Sequence, residues 1–110
     1  MDVDSLTIDE IIDIVSHSSD EQIQILLNRE KNEQFLLYNN ITTADAKDFI
    51  RSLNKSDLDK GPVPDDNPER KHPVWIFKKN GFGHRCYIKI KIINKGKVTI
   101  VISLHEDEYS

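Results

Sequence analysis

Tyr87, Lys89 and Lys91 recur at every second position of "CYIKIKI", and Thr99, Val101, Ser103 and His105 do the same in "VTIVISLHED". Strict alternation marks strands with one buried face, so Cys86, Ile88, Ile90 and Ile92 are expected on the core side together with Val98, Ile100, Ile102 and Leu104. The alternate set then gathers a phenol, two ammonium groups and an imidazole on the outer face. Solubility accounts for lysines on an exposed strand. It accounts less well for Tyr87 beside His105, whereas a phosphodiester would meet there both cations and groups that move protons near neutral pH.

The turn between the two strands sets their register. Pairing Ile93 with Lys97 leaves Asn94, Lys95 and Gly96 as a three-residue loop with glycine at its left-handed position. Tyr87 is then expected opposite Ser103, with His105 as its diagonal neighbour.

The elements that must position this hairpin follow from the rest of the chain. "TIDE" predicts a helix capped by Thr7 and Glu10 and carrying Ile8, Ile11, Ile12 and Val15. A second helix is expected from Ser19 or Asp20, with Ile23, Leu26 and Leu27 on its apolar side. Periodicity does not assign "QFLLYNN". "TTADAKDFIRSL" predicts a helix capped by Thr42 or Thr43, with Ala46, Phe49, Ile50 and Leu53 on the core. Four prolines, a glycine and several Asp and Asn residues make 57–73 an expected loop. Beyond it "VWIFKK", a "NGFG" turn and the hairpin form a meander. The expectation is one α+β domain over 1–110: a helical part to about 56, then the loop, then strands over 74–105, with the helices packed on one face of a mainly antiparallel sheet.

With 110 residues, 37% hydrophobic and 31% charged, the chain has the composition of a soluble globular protein, and no apolar run approaches a membrane span. The acidic start "MDVDSLTIDE" is unlike a targeting segment, which leads to a cytoplasmic expectation with no membrane partner. The single cysteine, Cys86, reads as a small core residue. The net charge of -4 conceals segregation: residues 1–68 carry 15 acidic and 6 basic side chains, while residues 69–105 carry 9 basic side chains and one acid. Either the basic half meets an anionic ligand, or the two halves complement each other across the fold.

The order "FIRSLNKSDLDKGP", "VWIFKK", "YIKIKI" and a last strand ending "SLHEDE", over about residues 43–108, resembles the MqsR family of type II toxins, which are RelE-like mRNA interferases. The resemblance implies a RelE-like fold and an endoribonuclease that needs no metal or cofactor. Such an enzyme cleaves single-stranded or ribosome-associated mRNA and is held inactive by a cognate antitoxin protein. By position it implies active-site roles for Lys60 and Tyr87, with Lys89 two residues on. A family glutamine falls near His72, and His105 replaces a family lysine.

Together these readings nominate Lys60, His72, Tyr87 and His105 for catalysis. Arg85, Lys89 and Lys91 are expected to bind RNA, with Trp75, Phe77 and Phe82 as candidate stacking platforms. His84 either contacts phosphate or is an idle turn histidine. The 57–73 loop is expected to fold onto the Tyr87 and His105 face, bringing Lys60 within several ångströms of them. Two other classes compete: a metal site drawing on His72, His84, His105, Glu106 and Asp107, which lack strong ligand spacing, and a regulatory module that binds nucleic acid or protein without cutting it.

Overall fold

Backbone pairing in the computed structural model, which describes residues 3–67 and 71–108, joins five strands into one mixed sheet of order β1-β5-β4-β3-β2. The elements run α1 (Ile8–Ser16), β1 (Ile23–Ile25), α2 (Glu30–Tyr38), α3 (Thr43–Arg51), β2 (Leu58–Val63), β3 (Val74–Gly81), β4 (His84–Ile93) and β5 (Val98–Glu106). β1 pairs parallel with β5 and the other pairings are antiparallel. The class is α+β, as the order of sequence patterns predicts. None of the described helices is long and apolar enough to cross a membrane.

Local chemistry explains the starts of α1 and α3, whereas α2 begins after Arg29 without a side-chain cap. The Glu10 backbone N–H donates to Thr7 Oγ1 at 3.2 Å while Thr7 N–H donates to the Glu10 carboxylate at 3.1 Å, a reciprocal cap. Thr42 and Asp45 do the same for α3. Ile11 and Val15 of α1, Phe35 and Leu36 of α2, and Ala46 and Ile50 of α3 enter one core with Trp75, Phe77, Ile88, Ile90 and Leu104 of the sheet. The helices therefore cover one sheet face and leave the other to shorter segments.

Two expectations are corrected and one stretch left open is assigned. The Ser19 cap opens only a single 3-10 turn, Asp20–Gln22, and the chain then enters β1 rather than a helix, because Ile23 and its neighbours complete the edge of β5. The unassigned "QFLLY" run is α2. Leu58–Val63, expected as loop, is an edge strand on β3. Pro62 is compatible with that place, since an edge strand has a side with no partner to receive an N–H. Residues 68–70 of the expected loop lie outside the described residues.

The turns set the register of the meander. Phe82 and Gly83 join β3 to β4 with φ of 55° and 81°, the paired positive angles of a tight two-residue hairpin. Between β4 and β5, Ile93 pairs with Val98 instead of Lys97, so the loop has one more residue than expected. A β-bulge follows between the Lys89–Ser103 and Ile90–Val101 pairs, with Ile102 as the extra residue of β5. Thr99 and Val101 are consequently turned into the core, fully buried, in place of Val98 and Ile100. Beyond the bulge Leu104 returns to the core and His105 to the outer face.

Candidate functional site

Two one-residue shifts, one in the turn and one in the bulge, add to two and so preserve the faces of Tyr87 and His105. Their effect is to place the pair directly opposite one another rather than diagonally. The rings stack with centroids 5.4 Å apart and planes 15° from parallel. His105 Nδ1 lies 2.9 Å from the Glu106 carbonyl oxygen. A carbonyl can only accept, so Nδ1 carries the hydrogen and Nε2 is the nitrogen left to take or give a proton.

β5 is held in position beside the site by a buried amide. Asn32 of α2 donates from Nδ2 to the carbonyls of Leu26 and Ile102, each at 2.9 Å, and accepts from the Leu104 N–H at 2.9 Å. The amide continues the edge pairing of β5 where β1 stops. It also brings the start of α2 to the site: a cavity of about 220 Å³ is lined by Tyr87, Lys89, Ser103 and His105 together with Arg29 and Lys31, and by the carboxylates Asp107 and Glu108. The Arg29 guanidinium is exposed and has no hydrogen bond or ion pair among the described residues. Sequence reasoning missed Arg29 and Lys31, because their proximity to His105 arises from the β1–β5 crossover and carries no periodic signal.

The lysines are less free than the alternation implies. Lys91, only 8% exposed at its side chain, pairs with the buried Asp65 and also donates to the Lys71 carbonyl at 3.1 Å. Lys89 pairs with Asp66 at 3.1 Å, and Lys78 with the buried Asp107 at 3.2 Å. The segment after β2 therefore does fold onto this face, as expected, but it brings carboxylates. Much of the charge segregation is complementation between the halves, the second of the two readings left open by composition.

Lys60, on β2 and not on a loop, continues the row Ile76, Lys89 and Ser103 across the sheet, so it shares the outer face. It does not come within several ångströms of His105: three strand spacings of about 4.8 Å, roughly 14 Å, separate it from β5. Arg85 reaches Asn80 at 3.4 Å on the same face. His72 lies elsewhere, with Nδ1 2.7 Å from Asp4 Oδ1. It sits toward the Lys91 end of β4, about four residues and roughly 13 Å along the strand from Tyr87. Trp75 and Phe77 are in the core beneath the helices and cannot stack on RNA. Phe82 packs on Phe49, with centroids 4.9 Å apart.

His84 is not an idle turn residue. Its ring meets Phe35 edge-on at 5.6 Å, its Nε2 lies 2.9 Å from Asn39 Oδ1, and its Nδ1 lies 3.6 Å from the Glu106 carboxylate. Cys86 is fully buried, and burial with the nearby Glu106 carboxylate pushes its thiol up to about 11, so it is a packing residue and no nucleophile. Among the described residues no three His, Cys, Asp or Glu side chains converge as a metal would require.

The arrangement thus comprises one imidazole with a free Nε2, one phenol stacked on it, and cations entering from α2 and β4. In comparisons with known proteins, the chain matches no protein-family model, no curated sequence and no solved structure.

Proposed function

We propose that this protein is a metal-independent endoribonuclease acting on single-stranded RNA, a toxin of the MqsR-like, RelE-like mRNA interferase type that a cognate antitoxin neutralises. The single observation that carries the reading is the Tyr87–His105 stack beside the unpaired Arg29. RNA is cut without metal when its 2′-hydroxyl loses a proton and attacks the adjacent phosphorus, while the 5′-oxygen leaves and gains a proton. The products are a 2′,3′-cyclic phosphate and a 5′-hydroxyl. His105 Nε2 transfers one of these protons and the Tyr87 hydroxyl the other, while Arg29 with Lys89 offsets the charge that builds on the phosphorane. Lys60 and Arg85, on the same face but farther out, hold the flanking backbone. His72 takes no part.

A second reading, a regulatory module that binds without cutting, is favoured by the carboxylates already seated on Lys78, Lys89 and Lys91. Incubation of purified protein with a generic RNA in EDTA separates the two. The nuclease reading expects cleavage with cyclic-phosphate ends, abolished in His105→Ala. Absence of cleavage by the wild type, or full activity in a folded His105→Ala protein, overturns it.

A further inference from the structure

The cavity at the Tyr87–His105 pair continues around the end of β5 into a larger cleft of about 760 Å³ against α2, and His105 lines both. The two parts differ in charge. Lys31, Asp107 and Glu108 line both, with Glu108 held on Lys31 at 2.7 Å, whereas Arg29 and Lys89 belong to the smaller alone and Glu106 to the larger alone. Phosphate is drawn toward Arg29 and Lys89 in the first and away from Glu106 at the far wall of the second.

That far wall is built for a flat, neutral ring. Tyr38 is 74% exposed at the end of α2, although Phe35 and Leu36 one turn earlier are buried. Phe35 and the edge-on His84 ring line the cleft beside it. Gln34, Asn39 and Glu106 supply hydrogen-bonding groups around the aromatic surfaces. Single-stranded RNA is read in this way, with a splayed base stacked on an aromatic ring and its edge hydrogen-bonded by side chains.

Resting on the proposed RNA reading, we infer that this cleft is a nucleobase subsite: the base next to the phosphate at His105 stacks on Tyr38 and presents its edge to Glu106. A carboxylate only accepts hydrogen bonds, so the subsite prefers a base with an exocyclic amino group, and it selects cytosine over uracil, whose corresponding group is a carbonyl.

The test uses non-cleavable 2′-O-methyl oligocytidine and oligouridine, titrated by fluorescence anisotropy at neutral pH, so that the readout does not depend on catalysis. Wild-type protein binds the cytidine oligomer more tightly. Tyr38→Ala weakens both by about tenfold or more, the loss expected for one stacked base, and Glu106→Gln removes the preference between them. Tyr38 and Glu106 are both exposed side chains, so each variant folds. Unchanged binding by Tyr38→Ala, a preference that survives Glu106→Gln, or no binding of either oligomer by the wild type overturns the subsite. Binding as expected without RNA cleavage would retain the subsite and remove the nuclease reading, and cleavage unaffected by Tyr38→Ala would do the reverse.

Discussion

Tyr87 and His105 face each other across β4 and β5 as a directly paired couple, their rings 5.4 Å apart and 15° from parallel. Stacking of this kind fixes the imidazole plane while its Nδ1 hydrogen is committed to the Glu106 carbonyl. The orientation of Nε2 is therefore set before any substrate arrives.

Tyr87→Phe keeps the stack and removes only the hydroxyl. The expected result is a fall in the rate of RNA cleavage of about 10-fold or more, since a positioned acid or base contributes roughly 100-fold upward, with thermal stability unchanged. Single-turnover kinetics would show it. An unaltered rate would leave Tyr87 as a platform for His105 alone.

Arg29→Ala should reduce affinity for single-stranded RNA and lower the slope of log affinity against log salt by about 0.7 for the phosphate contact it loses. The protein should remain folded, because Arg29 is exposed and has no partner among the described residues. Arg29→Lys should restore the slope while giving back only part of the affinity, since lysine lacks the planar fork. A slope indifferent to both changes would remove Arg29 from the phosphate site.

Asp65→Asn tests the acidic cover. The Asp65 and Lys91 side chains are 4% and 8% exposed, so removing the carboxylate leaves a buried ammonium donating to the Lys71 carbonyl without its counter-charge. A loss of about 3 kcal/mol in chemical denaturation is expected. A loss within the range of an exposed pair, under about 1 kcal/mol, would show that Lys91 finds water or another partner.

Thr99→Val should stabilise the protein. The shifted turn drives Thr99 into the core, where its hydroxyl has no hydrogen-bond partner among the described residues. Valine has nearly the same shape and no group to desolvate, so a gain of about 1 kcal/mol is expected from denaturant midpoints. Destabilisation instead would mean that the hydroxyl is satisfied in solution.

Cys86 should resist alkylation. With its thiol pushed up to about 11, the reactive thiolate is scarce at pH 8, and the group is fully buried as well. Iodoacetamide should modify the native protein far more slowly than the denatured one, and the native rate should rise steeply only as pH approaches that value. Equal rates would place Cys86 at the surface.

Much of the architecture was written locally. Thr7 with Glu10 and Thr42 with Asp45 specify two helix starts by side chains three residues apart, and alternation in β4 fixes which of its faces is buried, because both are short-range constraints. The α+β class, the burial of Cys86 and the outward faces of Tyr87 and His105 follow from these. Where local signals compete, tertiary contacts decided. Ile23–Ile25 became a strand because the edge of β5 had unpaired backbone groups to satisfy, and Leu58–Val63 became an edge strand because β3 offered the same on its other side. The two one-residue shifts that bring His105 opposite Tyr87 lie in a turn and a bulge, where spacing alone does not separate neighbouring registers. Arg29, Lys31 and Asp65 reach the face only through the crossover of β1 and the path after β2. Charges distant in sequence meet there because folding removes them from water and each must then find a counter-charge or remain exposed, a choice that no stretch of sequence makes alone.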